Sequence, residues 1–483
     1  MCPTCSSTYH HLLYFWDKPE AHGTRRQTGL GFDDERIQMA MNAIEPGAQM
    51  SHVREGALYC TNCVRRFTLE PLLYCAFCKH ALEYLLPIDK ANQAGLRKSL
   101  LHSNYDPDVS GHSRFSEFLP VPCGGAMTGL GEGSTPLIHC ERLQQKYRLN
   151  RLYLKNEGAN PTGSWKDRAI SLVVSCARNF GFQTVSVYSC GNAGVSTAAY
   201  AARFGLKSVI FVLPTIDRAK YNRMLSYGVC AVPLQISRSD LWKSSRVGEV
   251  LEEAQAKLGW FPVTTLRNPY LGSPYYTEGF KTIAFELFLD LGATVPDWVF
   301  VPAGSGEGLC GIWTGFKNLF ELGLTRKLPR IVGVQAENAA PLVHAFRNSK
   351  DHVEFVESRK TIAVGLEVMN SSNQSLRAIR ISHGSAESVN DPAIRQTMNE
   401  LRREEDVNAS PEGAIGLAAI KKMRSEGRLK EDDLIVSISS ASERDNTGPK
   451  SRKEFPLSSV PLNLSEISDY VSRRSTRVKK VPR

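Results

Sequence analysis

One lysine stands at a position suited to nucleophilic chemistry. Lys166 lies in the segment NPTGSWKDRA (residues 160–169), where Pro, Gly and Ser mark a turn and an apolar helical pattern follows. Two interpretations compete for this residue. Lys166 is either an ordinary solvated residue at the start of a helix or an amine nucleophile held in a cofactor pocket.

Three polar turns could complete such a pocket. The segments SCGNAG (189–194) and AGSGEG (303–308) each follow an apolar strand pattern and open a helix, and SSAS (439–442) follows the last strand pattern. Glycine-rich turns before a helix present several backbone N–H groups to an anion. Each turn alone is a weak signal, because tight turns without a ligand are more common.

Together with Lys166, the three turns offer an amine, an anion cradle, an amide side chain and a hydroxyl. Pyridoxal phosphate requires these four groups: a lysine for its aldehyde, donors for its phosphate, and partners for the ring oxygen O3′ and the ring nitrogen. The combination therefore favours a pyridoxal-phosphate pocket in which Lys166 is the nucleophile.

The elements that must position these residues alternate along the chain. From about Leu152, short apolar runs typical of strands alternate with longer helical patterns as far as the run DLIVSIS (433–439). Such alternation predicts an α/β fold with mostly parallel sheets. Ligands in these folds bind outside the carboxyl ends of the strands, which is where the three turns fall.

The region from about Gly124 to Ser442 resembles the fold type II pyridoxal-phosphate enzymes, which share the tryptophan synthase β fold, and among them threonine synthase and its relatives. The resemblance implies a two-subdomain α/β core, spans about two thirds of the chain and rests on motifs in matching order and spacing. These motifs are GLGEGSTPL (129–137), KNEGANPTGSWKDRA (155–169), SCGNAGVSTAAYAARFGL (189–206), EGFKTIAFEL (278–287), VPAGSGEGLCGIWTGF (301–316) and PEGAIGLAAIKK (411–422).

The resemblance also implies a role for each site residue. Lys166 forms the Schiff base with the cofactor aldehyde, Asn192 bonds the ring O3′, and Ser440 faces the pyridine nitrogen. A neutral hydroxyl there leaves the nitrogen unprotonated, which suits α-proton abstraction followed by loss of a β- or γ-leaving group. The loop for the substrate α-carboxylate is lined by Ser189, Cys190 and Ala193, and the cofactor phosphate is wrapped by Gly304, Ser305, Gly306, Glu307 and Gly308.

Two departures from the threonine synthase pattern concern the substrate. After the ring-facing hydroxyl, threonine synthases read close to GHGLK, whereas this chain reads ASERD (441–445). Their substrate-phosphate arginine lies in a run like NPYRLEGQKT, but NPYLGSPYYTEGFKT (268–282) has no arginine, and Thr277 lies nearest the vacated position. We therefore expect a smaller or uncharged leaving group than phosphate. Arg168 and Lys155 are either substitutes for the lost charge or structural residues.

Cysteines at metal-ligand spacing precede this region. Two C-x-x-C pairs, separated by eleven residues, can bring four thiolates to tetrahedral spacing. This spacing favours a structural zinc site over the alternative, a module that has lost its metal. The ligands would be Cys60, Cys63, Cys75 and Cys78. The zinc-ribbon-like module resembles extensions of many threonine-synthase-like proteins. Cys2 and Cys5 have no second pair at ribbon spacing and stay unassigned.

Composition and charge limit the classes of function. The 483 residues are 42% hydrophobic and 22% charged, which is typical of a soluble globular protein. No run approaches the ~20 apolar residues of a membrane span, and no signal peptide is recognisable, so we expect a cytoplasmic protein without a membrane partner. Of the net charge of +10, +6 lies after residue 445, in a polar tail that we expect to be largely disordered and without a specific nucleic-acid partner.

The expected organisation has five parts. They are an N-terminal extension (1–56), the zinc-ribbon-like module (57–90), a linker (91–123), the catalytic core (124–445) and the basic tail (446–483). Two classes of function stay open: a lyase or synthase acting on an amino acid, with a homodimer as a possible assembly, or a non-catalytic scaffold built on the enzyme core. The intact Lys166, Asn192 and glycine loop favour the enzyme.

Overall fold

The computed structural model describes residues 56–102, 111–122, 124–127, 129–237, 240, 245–265, 272–443 and 457–478. All of them fall in one compact unit, Arg54–Arg483. Cys2, Cys5 and Asp445 lie outside the described residues, and so does 266–271, so the run that lacks the arginine is described from Gly272 onward.

Thirteen strands form within these ranges. In chain order they are β1 (Ala57–Cys60), β2 (Arg66–Phe67), β3 (Leu82–Leu85), β4 (Leu137–His139), β5 (Arg151–Asn156), β6 (Thr184–Tyr188), β7 (Lys207–Val212), β8 (Cys230–Pro233), β9 (Trp260–Pro262), β10 (Trp298–Pro302), β11 (Arg330–Ala336), β12 (Ser385–Val389) and β13 (Leu434–Ser439).

Fourteen α-helices and four short 3₁₀ turns accompany the strands in the same ranges. The helices are α1 (Gln93–Leu101), α2 (Glu141–Tyr147), α3 (Lys166–Asn179), α4 (Asn192–Phe204), α5 (Arg218–Ser226), α6 (Arg246–Leu258), α7 (Pro274–Glu278), α8 (Thr282–Asp290), α9 (Glu307–Glu321), α10 (Pro341–Arg347), α11 (Asn373–Ile381), α12 (Asp391–Glu405), α13 (Pro411–Ser425) and α14 (Leu464–Val478). The 3₁₀ turns are Ser113–Phe118, Glu157–Ala159, Gly279–Lys281 and Val364–Leu366.

Local sequence explains where several helices begin and end. The side chains of Asn390 and Ser410 accept backbone N–H groups in the first turns of α12 and α13, and each helix has a proline at its start. At the other end, α4 and α6 stop at Gly205 and Gly259, which adopt left-handed conformations with φ of +72° and +65°.

The larger sheet has six strands in the order β12-β11-β10-β13-β5-β4. Only β4 runs antiparallel to its neighbour, and every residue of β10 and β13 is buried. In the register of the sheet, Val299 of β10 lies beside Val436 of β13. The turns that follow these two strands, 303–308 and 439–442, therefore start side by side at the carboxyl edge.

The second sheet has four parallel strands in the order β8-β7-β6-β9. The turn 189–194 leaves β6 of this sheet and opens α4, whose buried alanines Ala198, Ala199 and Ala201 let it pack closely. Together the two sheets confirm the expected α/β fold with parallel-rich sheets. The residues predicted to form one pocket thus come from both sheets.

Ahead of this core, the segment 57–90, here called the cysteine module, forms a three-stranded antiparallel sheet in the order β2-β1-β3. Its buried residues Leu58, Leu73 and Leu82 belong to the same hydrophobic cluster as the helices around Lys166. The module is therefore packed into the core.

The segment 91–123, expected as a linker, also packs into the core where it is described. It contains α1 and a 3₁₀ turn whose Phe115 and Phe118 are fully buried. Their ring centroids lie 5.4 Å and 5.2 Å from that of Phe285 in α8. The aromatic contacts fix this segment to the core.

The expectation of a disordered tail is wrong for residues 457–478. Ile467 of α14 is fully buried against the four-stranded sheet, and Val460 pairs in parallel with Leu234. Apolar residues at i, i+3 and i+7 (Leu464, Ile467 and Val471) give this helix one apolar face, which a count of charges overlooks. Among the described helices, none is long and apolar enough to cross a bilayer.

Candidate active site

Lys166 is the first residue of α3 and is half-buried. Its Nζ lies 5.7 Å, 5.1 Å and 5.3 Å from the ring centroids of Trp165, Tyr276 and Phe280, which we call the aromatic cluster. An ordinary helix-start lysine extends into water, whereas this amine is surrounded by rings. The geometry therefore favours the pocket interpretation of Lys166.

Two polar groups act on the amine within this cluster. Burial by itself lowers the pKa of Lys166, but Tyr276 and the Glu307 carboxylate hold the pKa above its ordinary value. Burial also raises the pKa of Tyr276, so its phenol stays protonated at neutral pH and can donate a hydrogen bond. The pKa values of the Lys166 amine and the Tyr276 phenol thus depend on each other and on the carboxylate of Glu307.

The residue after the lysine joins α3 to α4. Asp167 is fully buried, and its carboxylate accepts hydrogen bonds from Thr162 N at 2.7 Å and from Ser196 Oγ at 2.7 Å. Burial raises its pKa to about 6. Asn192 lies one helical turn before Ser196, so it shares the face of α4 that meets the start of α3. This link fixes the first turns of α4 against the start of α3.

The turn 189–194 is fixed by its own side chains. The Ser189 hydroxyl accepts hydrogen bonds from Gly194 N at 2.9 Å and Gly191 N at 3.2 Å, and Cys190 Sγ accepts one from Leu213 N at 3.1 Å. Ser189, Cys190, Asn192 and Ala193 are all half-buried. The turn is preformed, with its residues near the start of α4.

The glycine loop 304–308 is held from behind by polar side chains. Ser371 Oγ donates to Gly304 O at 2.7 Å, Gln335 Nε2 donates to Ala303 O at 3.0 Å, and Ser372 N donates to Ser305 O at 2.8 Å. The loop leads into α9, a helix of 15 residues, so its backbone N–H groups lie where an anion is favoured.

Two glycines of this loop have no room for a side chain. A Cβ on Gly306, whose φ is +103°, would lie 2.6 Å from Ser375 Oγ. A Cβ on Gly308 would lie 2.5 Å from the ring of Trp165, the residue before Lys166. At these two positions the backbone lies bare, which suits a phosphate loop, and the loop packs directly against the lysine turn.

Glu307 behaves differently from its neighbours in the loop. Its side chain is 7% exposed and accepts a hydrogen bond from Ser305 Oγ. The carboxylate is thus paired, so it need not point into the anion cradle. Only the backbone N–H of Glu307 is suited to an anion.

Ser440 lies beside the lysine turn. Its carbonyl accepts a hydrogen bond from Trp165 N at 2.9 Å, and Ser442 N donates to Gly163 O at 3.0 Å. Ser437 and Ser439 turn their hydroxyls toward the glycines of α13, so alternation along β13 puts Ser440, which is 3% exposed, on the opposite side. The turn after β13 and the turn before Lys166 form one paired unit.

The pyridoxal-phosphate dependent enzyme family matches residues 128–441 of this chain. The chain belongs to this family. Two threonine synthases are among its relatives. That of Methanocaldococcus jannaschii is 34% identical over 387 residues, which cover 78% of this chain and 90% of the relative. That of Methanosarcina acetivorans is 32% identical over 329 residues, which cover 67% of this chain and 78% of the relative.

Solved structures show the same fold at lower identity. Maize serine racemase superposes with a TM-score of 0.54 and 19% identity, covering 71% of this chain and 93% of the racemase. Threonine deaminase isoform 2 from Solanum lycopersicum, in its processed form, superposes with a TM-score of 0.55 and 18% identity. The match covers 76% of this chain and 94% of the deaminase. These structures show the fold, whereas the family match and the threonine synthase relatives show that the protein is a pyridoxal-phosphate-dependent lyase or synthase.

Behind Lys166, this enzyme buries a set of charges. Lys155, Glu157, Arg168 and Glu286 are fully buried, and Asp290 completes what we call the charge network. Arg168 bonds Glu157 Oε2 and Glu286 Oε1 at 2.7 Å each, and Lys155 bonds Glu286 Oε2 and Asp290 Oδ2 at 2.9 Å each. Of the two roles left open for Lys155 and Arg168, the structural one is correct.

The cysteine module gathers the four predicted ligands. The Sγ atoms of Cys60 and Cys78 are 3.4 Å apart, those of Cys63 and Cys75 are 3.6 Å apart, and all four lie within 4.8 Å of one another. Backbone N–H groups of residues 62 and 63 donate to Cys60 Sγ, an arrangement that favours thiolates. The sequence prediction of a single cluster is thus confirmed in its geometry.

The aromatic cluster is the part of the site that the sequence did not reveal. Tyr276 and Phe280 lie 110 or more positions from Lys166, and no spacing rule connects them. One signal was available: Tyr276 follows Ser273 and Pro274, a serine cap and a proline that open α7 and fix its orientation.

Proposed function

We propose that this enzyme abstracts the α-proton of an amino-acid substrate and completes a β- or γ-elimination or replacement, as a threonine-synthase-like enzyme. One observation carries the proposal. The Lys166 turn contacts both the glycine loop, through Trp165 and Gly308, and the turn of Ser440. An amine, an anion cradle and a hydroxyl turn at one sheet edge fit pyridoxal phosphate.

Each residue then has a role in holding the cofactor. Lys166 binds the aldehyde, Asn192 bonds the ring O3′, and Ser440 faces the pyridine nitrogen. The phosphate is bound by Gly304, Ser305, Gly306, Glu307 and Gly308, with Glu307 contributing only its backbone. When bound, the cofactor supplies an electron sink for the charge that develops at the substrate Cα.

The residues around the amine manage the proton. With the cofactor bound, Lys166 would be the base for the Cα proton of the substrate, and Tyr276 and Glu307 would stabilise its protonated form. The half-buried turn of Ser189, Cys190 and Ala193 binds the α-carboxylate through the start of α4. The aromatic cluster excludes water from the amine.

The structure also supports an uncharged or small leaving group on the substrate. Lys155 and Arg168 are committed to the charge network and cannot reach a substrate phosphate. Among the described residues of the run that lacks the arginine, the side chains that face the amine are those of Tyr276 and Phe280. A phenol offers one hydrogen bond and no positive charge, so it favours a neutral group over a phosphate.

The test compares kcat/KM for O-phosphohomoserine with that for O-acetyl, O-phospho and free hydroxy amino acids, scored by 2-oxo acid and phosphate release. We expect a visible absorption band that borohydride bleaches, and higher kcat/KM for uncharged leaving groups by about one to two orders of magnitude. Efficient threonine formation from O-phosphohomoserine would contradict the substrate preference. A colourless protein after incubation with the cofactor would contradict the enzyme function itself.

For the cysteine module we propose a structural zinc ion bound by Cys60, Cys63, Cys75 and Cys78. Zn–S bonds of about 2.3 Å in a tetrahedron put the sulfurs about 3.8 Å apart, close to the 3.4 Å and 3.6 Å found. Four cysteines leave no open coordination position, so the metal has no catalytic role.

The zinc proposal predicts about one zinc per chain by elemental analysis. Chelation should expose the cysteine module to protease before the core and leave the cofactor bound. Cys140→Ser, a buried cysteine outside the module, is the matched control and should keep full zinc content. Metal-free protein with a protease-resistant module would contradict the proposal.

A further inference from the structure

The cysteine module and the active site share one short segment, α7 with the 3₁₀ turn that follows it (residues 274–281). Two of its side chains, Tyr276 and Phe280, are one helical turn apart and face Lys166. Three others, Tyr275, Glu278 and Lys281, recur every three residues and lie on a different face. The segment therefore has one face toward the amine and one face away from it.

The second face contacts the cysteine module. The Tyr275 hydroxyl donates to the backbone carbonyl of Glu70. The ring centroid of Tyr84, in β3, lies 5.0 Å from Lys281 Nζ. Tyr84 is 7% exposed, so this contact is shielded from water. The module thus binds the segment at both of its ends.

The lysine that Tyr84 contacts belongs to a buried ion pair, Glu278–Lys281. Lys281 Nζ lies 2.5 Å from Glu278 Oε2, and the two side chains are 0% and 3% exposed. Apart from this contact, neither atom has a hydrogen-bond partner among the described residues. A buried pair with so few hydrogen-bond partners is costly, and the negative face of the Tyr84 ring adds a favourable contact for the ammonium. Tyr84 therefore influences the position of the Lys281 ammonium group.

On its third side, the segment is pressed against α9. A Cβ on Gly311 would lie 2.2 Å from Thr277 O, and one on Gly315 would lie 2.4 Å from Lys281 O. α9 is the helix that begins at the glycine loop. A Cβ on Gly279 would likewise lie 2.5 Å from Ala169 Cα, so α9 and α3 bound two sides of the segment, and the cysteine module bounds the face that carries Tyr275 and Lys281.

We propose that Tyr84 is a positioning residue for the active site: through the Glu278–Lys281 pair it holds residues 274–281 so that Tyr276 and Phe280 stay against Lys166. The inference rests on the proposed function of Lys166 and goes beyond it, because it makes the cysteine module part of the apparatus that adjusts the catalytic amine. Tyr84 itself touches no reacting atom.

The test uses the cofactor-loaded enzyme and three variants. Tyr84→Leu should lower kcat about tenfold, with a smaller change in KM, and should shift the pH at which the visible band changes. Tyr84→Phe keeps the ring and should restore both properties to wild-type values. Phe77→Leu is the matched control, because Phe77 lies in the same module but is 66% exposed, and it should change neither.

A further variant guards against misfolding of Tyr84→Leu. The double change Glu278→Gln with Lys281→Met keeps the size of both side chains and removes the charge that Tyr84 contacts, so it should shift the band in the same direction. If Tyr84→Leu or the double variant lowers only the melting temperature and leaves kcat and the band unchanged, Tyr84 is a packing residue and the proposal is wrong. A wild-type protein with no visible band would instead overturn the role of Lys166.

Discussion

The two sides of the start of α3 are both buried and both carry charge, yet they are built differently. In the charge network behind the helix, Arg168 makes charge-assisted hydrogen bonds to two carboxylates, and Lys155 binds a third. In front, Lys166 lies among three rings, one of which is the phenol of Tyr276, and is influenced by the carboxylate of Glu307. A fully paired charge is fixed in place, whereas an amine among weak partners can exchange them during a reaction.

The strongest test of this difference compares substitutions of the two lysines, Lys166 in front of the helix and Lys155 behind it. Lys166→Ala should remove the visible band and lower turnover by at least about 10³-fold, because the side chain is both the covalent anchor and the base. Lys155→Met should keep the band and lower the stability instead. Activity of Lys166→Ala at a tenth of wild type would refute the assignment.

The next largest effect should be on stability. Arg168→Met leaves the buried carboxylates of Glu157 and Glu286 without their main partner, and such a loss typically costs about 3–5 kcal/mol of unfolding free energy. Chemical denaturation measures it. Arg246→Met is the matched control, since Arg246 and its partner Glu249, 3.2 Å away, are 45% and 43% exposed, and exposed pairs contribute about 0–1 kcal/mol. Equal losses in both variants would contradict a structural network.

The same network predicts a dependence on pH. Burial would raise the pKa of Glu286, but Arg168 and Lys155 hold it well below its ordinary value. The stability from this group is therefore complete above its unfolded pKa, about 4.3, and declines as the pH falls below that. The unfolding free energy should drop more steeply in acid for the wild type than for Arg168→Met. Parallel curves would assign the acid sensitivity to other groups.

The smallest expected effect concerns substrate choice on the aromatic side. Tyr276→Arg places a cation beside Lys166 and should raise kcat/KM for O-phosphohomoserine, relative to O-acetylhomoserine, by about one to two orders of magnitude. Thr277→Arg, one residue along and half-buried, is the control. A larger gain from Thr277→Arg would show that the neighbouring position faces the substrate.

Much of the site was predictable because its signals are local. The turns 189–194, 303–308 and 439–442 each combine a strand end with the residues that a ligand turn requires, and Lys166 follows a turn of its own. The charge network was not predictable in the same way. Glu157, Arg168 and Glu286 meet only after the chain has folded, and nothing in their spacing distinguishes a paired arginine from one that awaits a substrate.

The tail shows a second limit of sequence reasoning. Its charge and serine content indicated disorder, but a helix needs only one apolar stripe to pack, and composition averages over all faces. The clustering of the four cysteines could be predicted for the opposite reason, since the spacing of two C-x-x-C pairs directly indicates how the side chains come together.

The parallel pairing of Val460 with Leu234 has a consequence for the behaviour of the protein in a concentrated solution. β8 is the outermost strand of its sheet, and a bare outermost strand offers its backbone N–H and C=O groups to any other chain. Val460 bonds to the last residue of β8, with Val460 N donating to Pro233 O at 2.7 Å, and α14 lies over the same strand. Residues 457–478 therefore cover the end of this edge strand, and we expect a variant that ends before them to self-associate more readily than the full chain.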